Sequence, residues 1–122
     1  MPNRLLLVGW DAADWKLLHP LIDAGKMPAL QGVVEGGTSG SMLCSQPLVP
    51  AAQWTSLVTG KRVWQHRVCH QVELDAQIKR PVPVSAAQRQ SAALWEILAR
   101  SGRKSIVAGW PATHGSRSEL DR

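Results

Sequence analysis

The chain has 122 residues, a formal net charge of +5 and 44% hydrophobic content, with six tryptophans but no phenylalanine or tyrosine. That length and apolar fraction support a folded core and exclude wholesale disorder. The basic residues are scattered from Arg4 to Arg122 without a run or a recognisable nucleic-acid motif, so a nucleic-acid partner is not expected.

The first element expected is a strand. "RLLLVG" (Arg4 to Gly9) is a short continuous apolar run ending at glycine, the pattern of a strand buried on both faces of a parallel sheet. It is too short to span a membrane and makes a poor signal peptide, so the expected location is the cytoplasm. In "WDAADWKLLHPLIDAGKMP", Trp15, Leu18 and Ile22 share one helical face. Asp11 or Asp14 suits the cap and Ala24-Gly25 the stop, with Asp14 otherwise a first-turn acid favoured by the helix dipole. Pro20 is expected to end or kink this helix near His19, leaving two helical pieces.

"PALQGVVEGG" has proline at its start and glycines at its end, as a short helix should. "TSGSMLCS" reads as a modest strand and "AAQWTSLVTG" as a helix stopped at Gly60. Residues from Lys61 to Val84 read as irregular, with "RPVPV" favouring extended backbone. "SAAQ" (Ser85 to Gln88) fits a capping box opening "RQSAALWEILARSG", in which Leu94, Ile97 and Leu98 form an apolar stripe and Gly102 a stop. "KSIVAGW" (Lys104 to Trp110) is a last strand-like run. The order predicts an α/β fold with a parallel sheet of about three strands and flanking helices. Residues 1–122 read as a single domain or a fragment of one, because so small a parallel sheet lacks cover and a polar tail, "THGSRSELDR", follows its last strand.

Several motifs are excluded. "VTGK" is not a phosphate loop, since that pattern needs glycine at Thr55 and a hydroxyl at Arg62. "EGGTSGS" lacks the spacing of a dinucleotide fingerprint and follows a helix. No Gly-x-Ser-x-Gly elbow surrounds Ser45, Thr55, Ser56 or Thr59, and the last three read as ordinary helix positions. Cys44 and Cys69 have neither disulfide-framework nor zinc-site spacing. Asp11, just past the first strand, is placed either to hold a divalent metal or to cap the helix. Lys61, Arg62, His66 and Arg67 make a cationic loop, suited to attracting phosphate or simply to a solvated surface.

"LLLVGWDAADWKLLHPLIDAGKMPAL", "WTSLVTGKRVWQH" and "ALWEILARSGRKSIVAGWPATH", in that order, resemble the N-terminal part of type I phosphodiesterase/nucleotide pyrophosphatase proteins, of the alkaline phosphatase superfamily. The resemblance implies a large α/β sandwich, two divalent metal ions (commonly zinc), phosphate-ester or nucleotide-like small-molecule substrates, and a Ser or Thr that attacks phosphorus. Carried over by position, Asp11 matches the first metal-ligating aspartate, and "QWTSLVTGK" matches the helix that follows the nucleophile. The nucleophile position, four residues before Trp54, is Pro50, which has no hydroxyl, so no catalytic residue is assigned. His66 matches a histidine that usually follows this loop, although Arg67 stands where glycine is expected after it, and Lys61 and His66 are the candidates for substrate binding. The remaining metal ligands of the family lie much later in a longer chain. The expectation is therefore a truncated or divergent piece without hydrolytic activity of its own, against a non-catalytic module that retains the fold for phosphate-ligand or protein contacts.

Overall fold

The computed structural model describes residues 4–44, 46 and 48–115, so Ser45 and the tail from Ser116 to Arg122 lie outside the described residues. The chain falls into two compact units, Met1–Leu43 and Cys44–Arg122, and each is described by itself.

In the first unit, α1 (Trp15–Asp23) and α2 (Pro28–Gly36) pack on each other. The cap of α1 is Asp14, outside the first turn, whose Oδ1 accepts from the Lys16 N–H at 2.8 Å. Leu18 is buried, with Trp15 and Ile22 half-buried beside it, so the face marked by the spacing of these three is the packed one. The Trp15 indole also donates to the Gly40 carbonyl at 3.0 Å, fixing the segment after α2. Replacing Asp14 with alanine should cost about 1 kcal/mol by orphaning the Lys16 N–H. The measurement is the loss of far-ultraviolet helical signal on warming, compared with the parent chain.

Contrary to the expectation at Pro20, α1 runs through it as one helix. The ring removes a donation to the carbonyl of Lys16, four residues earlier, and Lys16 is exposed, so that carbonyl can turn to water. The first helix is therefore not split there. Two helices are present, but the break between them falls at Ala24–Met27.

The second unit contains α3 (Pro50–Thr59), α4 (Val63–His66), β1 (Val72–Leu74), β2 (Pro81–Pro83), a single 3-10 turn at Ala86–Gln88 and α5 (Leu94–Arg100). Proline occupies the first position of both α2 and α3, where its missing N–H has no intrahelical partner to lose. Gly60 ends α3 with φ +63°, a left-handed conformation that glycine adopts without a Cβ penalty. Ala51, Val68 and Val84 form the buried apolar cluster, with Ala112 packed against it.

The three-strand parallel sheet is not what the described residues show. Their sheet is the antiparallel pair β1–β2, in register Val72↔Pro83, Glu73↔Val82 and Leu74↔Pro81. It lies in a segment expected to be irregular. Its turn is built by Asp75, whose Oδ1 accepts from the Gln77 and Ile78 N–H groups at 2.8 and 3.0 Å and whose carboxyl is thereby held below the usual carboxylate range. The runs from Arg4, from Thr38 and from Lys104 form no strand among the described residues, and apolar side chains in them are exposed: Leu6 is 86%, Leu43 99% and Ile106 99% exposed. An apolar run becomes a buried strand only when neighbouring strands take its backbone groups and helices cover its faces. Those neighbours are not among the described residues.

The Ser85 capping box is also present, but it heads the 3-10 turn. The Ser85 N–H donates to Gln88 Oε1 at 2.8 Å. The helix begins afresh at Leu94, where Glu96 Oε2 accepts from the Ala93 N–H at 3.0 Å. Within α5 the buried residue is Glu96, while Leu94 and Leu98 are half-buried and Ile97 is exposed.

Candidate functional site

Asp11 sits in a turn before α1, followed by Ala12 at φ +55°. It is exposed, and since Asp14 supplies the cap, Asp11 is not committed to that task. It belongs to the first unit, whereas Pro50, Lys61 and His66 belong to the second.

Pro50 is exposed at the first position of α3. The backbone at this helix start has little to offer an anion. Pro50 has no N–H, and the Ala51 N–H donates to Gln71 Oε1 at 3.2 Å. The hydroxyls further along α3 are also engaged. Thr55 and Thr59 are buried, and their Oγ1 atoms donate to the carbonyls of Ala51 and Thr55, each at 2.7 Å. Such back-bonding satisfies a buried hydroxyl.

Ser56 and His66 form the one pairing here that resembles a nucleophile and its base, with Oγ and Nε2 2.8 Å apart. The other ring nitrogen decides its meaning. The Val68 N–H donates to His66 Nδ1 at 3.1 Å, so Nδ1 is the unprotonated nitrogen and Nε2 carries the hydrogen. His66 therefore donates to Ser56 and cannot take its proton. The ring is fully buried, and burial, with a smaller contribution from the Arg89 guanidinium, holds it below the usual imidazole range. The ring, expected from the sequence near a substrate, has no exposed surface and both nitrogens are occupied, by Ser56 and Val68. Its structural role escaped the sequence because Ser56 and His66, ten positions apart on different helices, share no readable spacing.

Lys61 follows the Gly60 stop and is exposed, as are Arg62 and Arg67 on either side of α4. Arg62 also stacks on Trp64, 5.2 Å from the ring centroid. A separate open groove of about 770 Å³, lined by residues including Trp95, Arg103, Lys104 and Ile106, contains none of Pro50, Lys61 or His66.

The second polar pair that the sequence did not reveal is Arg89 with Glu96. They form a buried ion pair, and Arg89 Nε also donates to the Ser91 carbonyl at 2.9 Å. Trp110 completes this region. Its indole donates to the Trp54 carbonyl at 3.3 Å, and its ring meets Trp54 and Trp95 edge-on at 5.0 and 6.3 Å.

The sequence model of the type I phosphodiesterase / nucleotide pyrophosphatase family matches residues 5–120. The chain belongs to that family. Comparison with curated proteins and with solved structures found no match.

The family is generally dependent on divalent metal. Among the described residues, however, no three His, Cys, Asp or Glu side chains cluster as a ligand set. A divalent ion in a two-metal hydrolase needs several such donors, and Asp11 supplies one. The described residues do not fit a metal by themselves. No helix of the described residues is long and apolar enough to cross a membrane.

Proposed function

We propose that this chain is a phosphodiesterase-family domain that carries the framework of the nucleophile helix but not the nucleophile, and that it does not turn over phosphate esters on its own. The observation that carries this reading is the start of α3. Pro50 provides neither an attacking hydroxyl nor an N–H, and Gln71 occupies the next donor. In this reading Asp11 is a metal ligand, with zinc the ion the family resemblance suggests, and the ligand set is completed by residues other than those described. Lys61 attracts the phosphate group of a nucleotide-like small molecule, while His66 supports α3 from behind. The runs at Arg4–Gly9, Thr38–Cys44 and Lys104–Trp110 are strands of an alkaline-phosphatase-like sandwich, of which residues 1–122 form one part.

Purified chain incubated with bis(p-nitrophenyl) phosphate and zinc or magnesium is expected to release no nitrophenol above the metal-only blank. Metal-dependent release that Asp11→Asn abolishes would overturn the proposal. A second reading, phosphate binding without turnover, is favoured by the exposed Lys61, Arg62 and Arg67 around α4. Calorimetric titration with inorganic phosphate tests it. Saturable binding weakened by Lys61→Ala supports a binding module, and no heat above dilution excludes it.

A further inference from the structure

We propose that His66 is an acid-sensitive clamp: its neutral ring ties α3 to the chain that follows α4, and protonation of that ring opens the tie. The geometry is specific. On one side Nε2–H meets Ser56 of α3 at 2.8 Å, and on the other Nδ1 accepts the Val68 N–H at 3.1 Å. Main-chain bonds hold the ring in place as well. The His66 N–H donates to the Arg62 carbonyl at 3.2 Å, and the His66 carbonyl accepts from the Gln90 N–H at 3.0 Å.

A proton added at Nδ1 would set donor against donor opposite the Val68 N–H, in a space closed to water. The charged groups around the ring do not welcome the new charge. Neither α3 nor α4 contains another ionisable side chain. Arg62 and Arg67, which flank α4, are cationic, and Arg89, the nearest buried charge, is also positive and already paired with Glu96 of α5. No carboxylate bonds to the ring, since its two nitrogens are held by Ser56 and Val68. The imidazolium is therefore excluded while the clamp is closed, and proton uptake requires the ring to leave.

What the clamp releases is substantial. Val68 belongs with Ala51 and Val84 to the buried cluster, so a turn that lets go of the Val68 N–H also loosens α3 at Ala51. Arg67, at φ +65°, holds a left-handed conformation that a non-glycine residue keeps only when its surroundings enforce it. This device is independent of any catalytic reading and holds whether or not phosphate binds.

The sign follows from linkage. The closed state prefers the neutral ring, so its stability is fully present above the ordinary histidine value of about 6.5 and falls as pH drops through it. A single such group lowers the folded-to-unfolded ratio by at most about tenfold per pH unit.

Two measurements on the 122-residue chain decide the matter. Long-range proton–nitrogen NMR at pH 7.5 is expected to show His66 as the Nε2–H tautomer, with the exposed His19, His70 and His114 as comparison signals. On acidification its protonation should coincide with loss of protection at the Val68 amide. An Nδ1–H tautomer, or a His66 that titrates freely while the Val68 amide stays protected, overturns the proposal. In parallel, urea midpoints between pH 7.5 and 5.5 should fall for the parent chain and stay nearly level for His66→Gln, whose amide keeps a donor and an acceptor without titrating. Parallel curves overturn the proposal, and if His66→Gln does not fold, the NMR titration of the parent decides alone.

Discussion

Replacing Glu96 with alanine should destabilise the second unit by about 3 kcal/mol, because it takes a buried carboxylate away from the Arg89 guanidinium. Arg89 and Glu96 are 3% and 7% exposed, so water cannot reach either partner to compensate. The same change orphans the Ala93 N–H, which opens α5 and now donates to Glu96 Oε2. A loss of this size is a large share of the whole stability of a small unit, so Glu96→Ala should be mostly unfolded at ambient temperature. Arg89 also lies 5.5 Å from the Trp95 ring, which makes tryptophan fluorescence during urea unfolding a direct readout. The double change Arg89→Met with Glu96→Leu should recover part of the loss, since apolar groups of similar volume remove both buried charges. Equal unfolding of the single and double variants would show that packing, not charge, dominates at this site.

The second large effect is expected at Trp110. Trp110→Ala should cost about 2–4 kcal/mol, below the full range for a completely buried tryptophan because Trp110 is only half-buried. The indole contributes in three ways: edge contacts with Trp54 and Trp95, a bond to the Trp54 carbonyl, and apolar area between α3 and α5. Trp110→Phe keeps much of the area but has no N–H, and should fall between alanine and the parent. Thermal unfolding followed by circular dichroism at 222 nm ranks the three. A Phe variant as stable as the parent would remove the indole bond from the account.

Some of this organisation was legible in the residues and some was not. Local chemistry reported itself well. Proline at the first helix position with glycine at the end marked α2, and the left-handed Gly60 stands where the stop of α3 was expected. The spacing of Trp15, Leu18 and Ile22 gave the packed face of α1. Failures came where local signals had to compete with something distant. Pro20 reads as a breaker, yet the carbonyl it deprives belongs to an exposed residue, so the helix continues. The Ser85 box is a true capping signal, but the box says only that a turn begins, not how far it runs. The stripe on α5 suggested Ile97 as core, whereas the side chain turned inward is the acid Glu96, because Arg89 lies seven positions away on a separate segment to receive it.

The site divides the same way. That Pro50 has no hydroxyl is plain from the sequence, while its standing at a nucleophile position is what the family resemblance implies. The Gln71 side chain on the Ala51 N–H was not readable, since twenty residues and a short helix separate them. Nor was the direction of the Ser56–His66 bond, which depends on a backbone N–H two residues beyond the histidine. Side chains name the candidates, but the main chain decides which of their atoms are free.

The outward-facing runs around Leu6, Leu43 and Ile106 bear on how the chain behaves in a crowded cell. Exposed apolar segments that lie outside any sheet are templates for strand pairing, whichever chain the partner strands come from. They are also the kind of surface that holding chaperones bind in preference to folded protein. Cover over those three runs, and not only the small buried cluster, is therefore expected to govern how much of this chain persists folded.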